Sequence, residues 1–277
     1  MDYFLSCQHF EPENYAEHYT EKVILFDRLM VVFSRPELPA EILTRAALGL
    51  PENEHLYCCP VMLFKLHSDM DRIFGEILDR DPKARILLFG SPNKVLWQAT
   101  LEKRFAAHLR PDQCARITFL PFADKQRFFQ ILKNVDAVLD SFHFSFGTTS
   151  FLLLGANIPF VTWPGEFHRG RGACGMFNQM GMTDLIAPTH EAFVELALRL
   201  ANGPTIAIAP SGNALASRPS SASSVASCGI PARRNCGYGR NFVARKKLCI
   251  GKHSCKLDYA YQNSLTPNYR NQERRFC

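Results

Sequence analysis

The chain has 277 residues, 47% of them hydrophobic, and a net charge of +6, enough apolar material for one substantial core or two smaller ones. No apolar run reaches the ~20 residues of a membrane-spanning helix, and the opening MDYFLSC lacks the basic flank of a secretory signal, so a cytoplasmic protein with no membrane partner is expected. The charge is unevenly placed: residues 1–203 carry 20 Lys and Arg against 24 Asp and Glu, whereas residues 204–277 carry 12 against 2.

Residues 1–35 hold a short apolar opening, Asp2-Tyr3-Phe4-Leu5, and a strand-like run, Val23-Ile24-Leu25-Phe26, too little for a domain. Pro36, Pro39 and Pro51 punctuate a connector around a short predicted helix over 40–48. The pattern then becomes regular. A strand over 56–60 leads into a helix over 68–80, with Met70, Ile73, Phe74, Ile77 and Leu78 on one face. The run RILLF at 85–89 is continuous and apolar, as in strands covered on both faces of a parallel sheet. A helix over 93–109, a strand over 116–120 and a helix over 124–134 follow.

Residues 135–171 read as one β-α-β unit. A short strand over 137–139 ends at Asp140, a loop spans 141–147, and a Leu-rich helix starts at Thr148-Thr149 and stops near Gly155-Ala156-Asn157. Phe160-Val161-Thr162 makes the next strand, which Pro164-Gly165 breaks. Helices over 167–180 and 189–201 flank a last short strand over 184–187. Strands alternating with helices at this spacing predict an α/β layered fold with a parallel sheet and right-handed crossovers. The pattern ends at Gly203. Residues 204–227 are rich in Ala, Ser, Pro and Gly, and the rest of the tail keeps no period, so a disordered basic tail is expected.

The ten cysteines divide evenly between the two segments. Cys7, Cys58, Cys59, Cys114 and Cys174 have irregular spacing and mostly apolar neighbours, which predicts reduced, buried thiols. In the tail, Cys249, His253 and Cys255 are the nearest approach to a zinc pattern, and no metal site is expected from them. Arg245-Lys246-Lys247, with Tyr259, Tyr261 and Tyr269, could contact nucleic acid, but a charge run with no fold behind it is usually incidental, so nucleic acid is not an expected partner.

The chemistry points to the start of the helix at Thr148-Thr149. In an open parallel sheet, ligands sit in the crevice beyond the strand C-termini. Unpaired N–H groups and the positive dipole end of a helix there suit a phosphate, and Gly147, Thr148 and Thr149 would add backbone and hydroxyl donors. The plainer alternative is that a threonine merely caps its helix. His143 and His168 lie near this crevice, but no carboxylate partner can be named for either, so both are read as ordinary loop histidines.

Several phrases in order, DYFLSC, AEHYTEK, GLPENEHLYCCPVMLFKLHSDMD, RITFLPFADKQRFF, VDAVLDSFHFSFGTTS, IPFVTWPGEFHRGR and MGMTDLIA, resemble the catalytic region of the bacterial SPINDLY-like relatives of O-linked N-acetylglucosamine transferase. The similarity covers residues 1 to about 202. It implies a GT-B glycosyltransferase, two Rossmann-like halves facing a cleft, with UDP-N-acetylglucosamine or a similar UDP-sugar held by the C-terminal half and a protein hydroxyl as acceptor. No cofactor and no metal are implied. Residues 1–35 would be a remnant of the N-terminal catalytic half, 36–203 the nucleotide-sugar-binding half, and 204–277 the tail.

By the same resemblance, Lys65 corresponds to a lysine on the donor diphosphate and Thr148-Thr149 to the hydroxyl pair on the same group. Ala123 and Lys125 match the loop that holds the uridine, and Phe128 falls where an aromatic face could stack on uracil. Arg171 matches an arginine after the PGE turn, where a structural role is as good a reading as a ligand role. For Lys125 and Phe128, a surface charge and a core-facing ring are the plain alternatives.

The sequence departs from the family at Val61 and Met62, where a Gln or Asn contacting the donor is usual, and at Leu152, where an acidic residue meets the ribose. Losing that carboxylate would cost ~1.5–3 kcal/mol in donor binding. The tetratricopeptide repeats, most of the N-terminal half and its active-site histidine would all precede Met1. The chain alone is therefore expected to be inactive, catalytic residues are not assigned, and a non-catalytic nucleotide-binding or docking module is the alternative. Residues from about 204 onward read as a frameshifted or unrelated sequence.

Overall fold

The structure, a computed structural model, describes residues 1–90 and 94–203. All lie in one of two units defined by the chain's contacts, Met1–Ala232, while Arg233–Cys277 falls wholly outside the described residues. The expected disordered tail, the Cys249, His253 and Cys255 set and the basic run at 245–247 also lie outside them.

The chain from residue 49 onward builds a parallel sheet from the alternation expected. Strands β3 (His55–Cys59), β4 (Ala84–Phe89), β5 (Ile117–Leu120) and β6 (Ala137–Val138) pair in parallel in the order β5-β4-β3-β6. Beyond β6 the sheet continues through single bridges, Leu139 to Val161 and Thr162 to Ile186. The strands expected over 160–162 and 184–187 are thus reduced to one or two bridging residues. Taking β3 as first, the order across the sheet is third, second, first, fourth, fifth, sixth, the order of a dinucleotide-binding fold. The direction of winding reverses between β3 and β6, so their following loops part to opposite faces and leave a crevice.

The helices form for the reasons legible in their sequences. In α2 (Asp69–Arg80), Met70, Ile73, Phe74, Ile77 and Leu78 are at most 1% exposed; burying each such side chain contributes about 1.5–3 kcal/mol. Asp71 sits on the same buried face. It is matched by α3 (Lys94–His108), whose Arg104 reaches both carboxylate oxygens at 2.9 and 2.8 Å while His108 Nδ1 lies at 2.9 Å. A single turn, α4 (Pro111–Cys114), leads into β5; the crossover helices α5 (Lys125–Leu132), α6 (Thr148–Gly155) and α7 (Gly172–Met180) follow, and α8 (His190–Asn202) packs back onto α2, β3 and β6.

Two helices are shorter than the sequence suggests. Of the run over 40–48 only α1 (Arg45–Leu48) forms, capped by Thr44 and closed by Gly49 at φ 71°; the residues before it bond to α5 instead, Leu43 N–H donating to Gln130 Oε1 at 2.9 Å and Glu41 O accepting from Gln130 Nε2 at 2.8 Å. Arg45 pairs with both oxygens of Asp136 at 2.8 Å, and Asp136 also accepts from the Leu56 N–H at 2.7 Å. This ties the starts of β3 and β6 together. The run over 167–180 splits into a 3₁₀ turn, His168–Gly170, and α7, with Arg171 between them at φ −118°, ψ 6°. The chain doubles back there: Gly165 N–H donates to Gly170 O at 3.1 Å, and a Cβ on Gly170 would lie 3.0 Å from Gly165 Cα.

Residues 1–35 form a parallel pair, β1 (Tyr3–Cys7) with β2 (Lys22–Phe26), in register from Tyr3 and Lys22 to Cys7 and Phe26. Cys7, Phe10 and Leu29 join the core, and Phe33 stacks on Phe151 at 4.4 Å. Tyr3, Leu5, Ile24 and Phe26 remain exposed. The five cysteines of the described residues are free thiols; four are buried and Cys114 is half-buried.

Candidate functional site

The crevice between β3 and β6 brings together the segments that follow those strands. After β3, a 3₁₀ turn (Leu63–Lys65) presents Lys65, whose Nζ lies 4.0 Å from the centroid of Phe144 in the loop after β6. Lys65 is half-buried and has no carboxylate within ion-pairing distance among the described residues. Lys65 and the N-terminus of α6 therefore share one end of the sheet. Gly147 is the N-cap of α6 and provides no side chain, and neither Thr148 nor Thr149 makes a side-chain hydrogen bond to the described residues. The threonines do not cap their helix. Gly147 has φ −96° and ψ −101°, with open space where a Cβ would be.

The loop itself is built on Asp140, a residue that sequence reasoning treated only as the end of a strand. Its carboxylate is buried and accepts four hydrogen bonds: Ser141 N–H and Phe146 N–H at 2.8 Å on Oδ1, Ser145 Oγ at 2.6 Å and Thr162 Oγ1 at 2.7 Å on Oδ2. Ser145 Oγ in turn accepts from Ala173 N–H at 3.1 Å. One carboxylate thus fixes both ends of the loop, the next strand segment and the start of α7. Burial pushes its pKa up to about 6, against the pull of the four donors.

Beside this crevice, an apolar cavity of about 170 Å³ opens over the C-terminal ends of β3, β4 and β5. Val61, Met62, Gly90, Phe122, Ala123 and Phe128 are among its lining residues. It is smaller than the roughly 300–1,000 Å³ of a drug-sized ligand site, a size for one ring rather than a whole sugar nucleotide. Phe128 packs its ring on Phe89 at 5.2 Å and on Phe129 at 5.7 Å, so it is both a core-facing residue and a cavity wall. Lys125 begins α5 on the surface, next to Asp124, whose side chain caps the helix by accepting from Arg127 N–H at 2.8 Å. Leu152 is partly buried against the core.

Arg171 serves its turn: Nε donates to Phe10 O at 2.5 Å and Nη1 to Gly165 O at 3.1 Å. Two histidines differ from expectation, because each has a carboxylate partner. His143 Nε2 lies 2.7 Å from Asp69 Oδ2, and His168 Nδ1 lies 2.8 Å from Glu11 Oε1. The partners are 74 and 157 residues away in the chain, which is why spacing could not reveal them. Glu11 also accepts from Ser6 and, at 2.9 Å, from Tyr19. Burial raises its pKa, but these hydrogen bonds prevail and hold it below the ordinary carboxylate range.

The parallel sheet with flanking helices and an open switch point is the α/β fold of one half of a GT-B glycosyltransferase. The sequence pattern of glycosyl transferase family 41 matches residues 32–222, and the chain belongs to that family. The match runs past Gly203 into the segment that composition alone sets apart.

Among relatives, the probable UDP-N-acetylglucosamine–peptide N-acetylglucosaminyltransferase SEC of Arabidopsis thaliana is 26% identical over 213 residues, 73% of this chain and 21% of its own length. The UDP-N-acetylglucosamine–peptide N-acetylglucosaminyltransferase of Caenorhabditis elegans is 27% identical over 166 residues, 59% of this chain and 14% of its own length. A mutant O-GlcNAc transferase of Thermobaculum terrenum superposes with a TM-score of 0.63 at 22% identity, covering 73% of this chain and 38% of that one. The chain therefore spans about a fifth or less of these curated relatives, and the last likeness concerns the fold. No helix among the described residues is long and apolar enough to cross a membrane.

Proposed function

We propose that this chain is the donor-binding half of a protein O-glycosyltransferase and takes a UDP-sugar of the UDP-N-acetylglucosamine class across the β3–β6 switch point. The observation that carries the reading is the placement of Lys65 against Phe144, which sets a cation without a carboxylate partner at the same end of the sheet as the free hydroxyls of Thr148 and Thr149. A diphosphate there would receive one point charge together with N–H and hydroxyl donors. The uracil would enter the small cavity beside Ala123 and Phe128, whose apolar walls match a ring and not a phosphate.

Val61 and Met62 give that cavity apolar side chains, and Leu152 offers the ribose no acceptor, so weak donor affinity is expected. The acceptor would be a protein hydroxyl. Transfer requires acceptor and donor to be oriented together, and the chain spans about a fifth or less of the curated relatives it matches. The chain by itself is expected to bind without transferring.

Calorimetry with UDP tests the reading. A saturable, diphosphate-dependent heat that is lost in Lys65→Ala supports it, and equal binding by both proteins contradicts it. Formation of protein-linked sugar from UDP-N-acetylglucosamine by the purified chain would overturn the inactivity.

A further inference from the structure

A second cluster at the mouth of the crevice is not used by the proposed donor. His67 and Asp69, on the segment leading into α2, meet His143, on the loop after β6, and one ligating atom from each lies within 4.8 Å of the other two. His143 Nε2 is 2.7 Å and His67 Nδ1 3.4 Å from the carboxylate oxygens of Asp69, and the two imidazoles pack edge to face at 4.7 Å. We propose that His67, Asp69 and His143 form a binding site for a divalent first-row transition ion of the zinc class, bridging the two loops that flank the crevice.

The donor set carries the choice of ion. Two imidazoles and one carboxylate are the ligands of zinc sites that keep water in the remaining position, and an oxygen-preferring ion such as Mg²⁺ would not select histidine. An ion with bonds of about 2.0–2.2 Å spaces its ligands about 3.4 Å apart. The present separations bracket that value, so small side-chain rotations suffice, and the three side chains are 39–50% exposed and free to make them. Asp69 N–H donates to His67 Nδ1 at 3.3 Å, which requires a lone pair on that nitrogen. Nearby, His190 stacks on Phe142 at 5.0 Å and has a buried Nε2 without a hydrogen-bond partner, leaving a further imidazole beside the cluster.

Because His67 is two residues from Lys65 and His143 adjoins Phe144, the ion would staple the segments that hold the lysine in place. The site stands apart from the donor reading, since the ion is titrated without nucleotide.

The test is titration of the full chain with Co²⁺ as the zinc-class probe, followed by its visible ligand-field absorption. The expected result is one saturable equivalent without the near-ultraviolet charge-transfer band of thiolate ligation, which separates the site from the chain's ten cysteines. Affinity should fall at least about tenfold in His67→Ala, His143→Ala and Asp69→Asn, since even indirect partners of a metal ligand act on that scale. His67→Ala alters an exposed ring and keeps the fold testable if His143→Ala disturbs its loop; unchanged circular dichroism melts without metal confirm this. Binding that is equally strong in His67→Ala, binding only through thiolates, or no saturable binding would each overturn the proposal.

Discussion

Lys65 Nζ stands 4.0 Å from the centre of the Phe144 ring, joining the segment after the first strand of the sheet to the loop after the fourth. This contact orders the lysine without neutralising it, because the ring face attracts the ammonium while leaving its charge available. Lys65→Ala is expected to weaken UDP binding about ten- to a hundredfold, the equivalent of the ~1.5–3 kcal/mol of a hydrogen bond to a charged group. Phe144→Leu should cost less, about 0.5–2 kcal/mol. Calorimetry on the two variants checks both magnitudes, and a larger loss from Phe144→Leu would show that the lysine acts only through its neighbour.

Phe128 tests the base rather than the phosphates. Phe128→Leu keeps an apolar wall and removes the aromatic face, so UDP should bind about 0.5–1.5 kcal/mol more weakly. Pyrophosphate should bind both proteins alike. Equal UDP affinity would place the uracil elsewhere.

For Asp140, the arrangement of donors separates two substitutions. In Asp140→Asn, Oδ1 keeps both backbone N–H donors, and the Ser145 and Thr162 hydroxyls can turn to accept from the amide, so the loss should be under about 1 kcal/mol. Asp140→Ala leaves two buried N–H groups unpaired at about 1–3 kcal/mol each, and denaturant melts should show a loss of about 2–6 kcal/mol. The pH dependence has a definite sign. With a folded pKa of about 6 against ~3.9 unfolded, the native state binds more protons in between. This contribution is complete below pH ~4 and lost as pH rises through 6. The stability of the parent protein relative to Asp140→Asn should therefore decline from pH 4 to pH 7.

Glu11 has the opposite sign. Its folded pKa is depressed, so its contribution is complete above the ordinary carboxylate value of ~4.3 and lost as pH falls through the depressed one. Acid unfolding of Glu11→Gln should be less steep than that of the parent protein below pH 4.

Gly175 tests how residues 8–11 are held. A Cβ there would lie 2.0 Å from Phe10 Cδ1 and 3.0 Å from His9 O, so Gly175→Ala must displace Phe10, at about 1–3 kcal/mol. Thermal melts should show the loss, and proteolysis should reach residues 8–18 sooner.

What was legible in the sequence follows from the range of the interactions involved. RILLF and the apolar stripe of α2 announce themselves locally, and each becomes the expected buried element. The crevice was readable because a helix start after a strand end is a local pattern. The Ser6, Glu11 and His168 contacts, the pairing of His143 with Asp69 and the gathering of Ser145 and Thr162 on Asp140 depend on chain crossings that no period encodes. The break at Arg171 was hidden for a related reason. The run over 167–180 is periodic enough for one helix, but Arg171 spends its donors on Phe10 and Gly165.

The ribbon of β1 and β2 has a practical consequence. It is two strands wide, so each outer margin carries backbone donors and acceptors that no further strand among the described residues satisfies, and Tyr3, Leu5, Ile24 and Phe26 are exposed beside them. Such a margin invites self-association, so clumping in concentrated preparations should begin at the ribbon, and lysines placed at Leu5 and Ile24 are the first remedy to try.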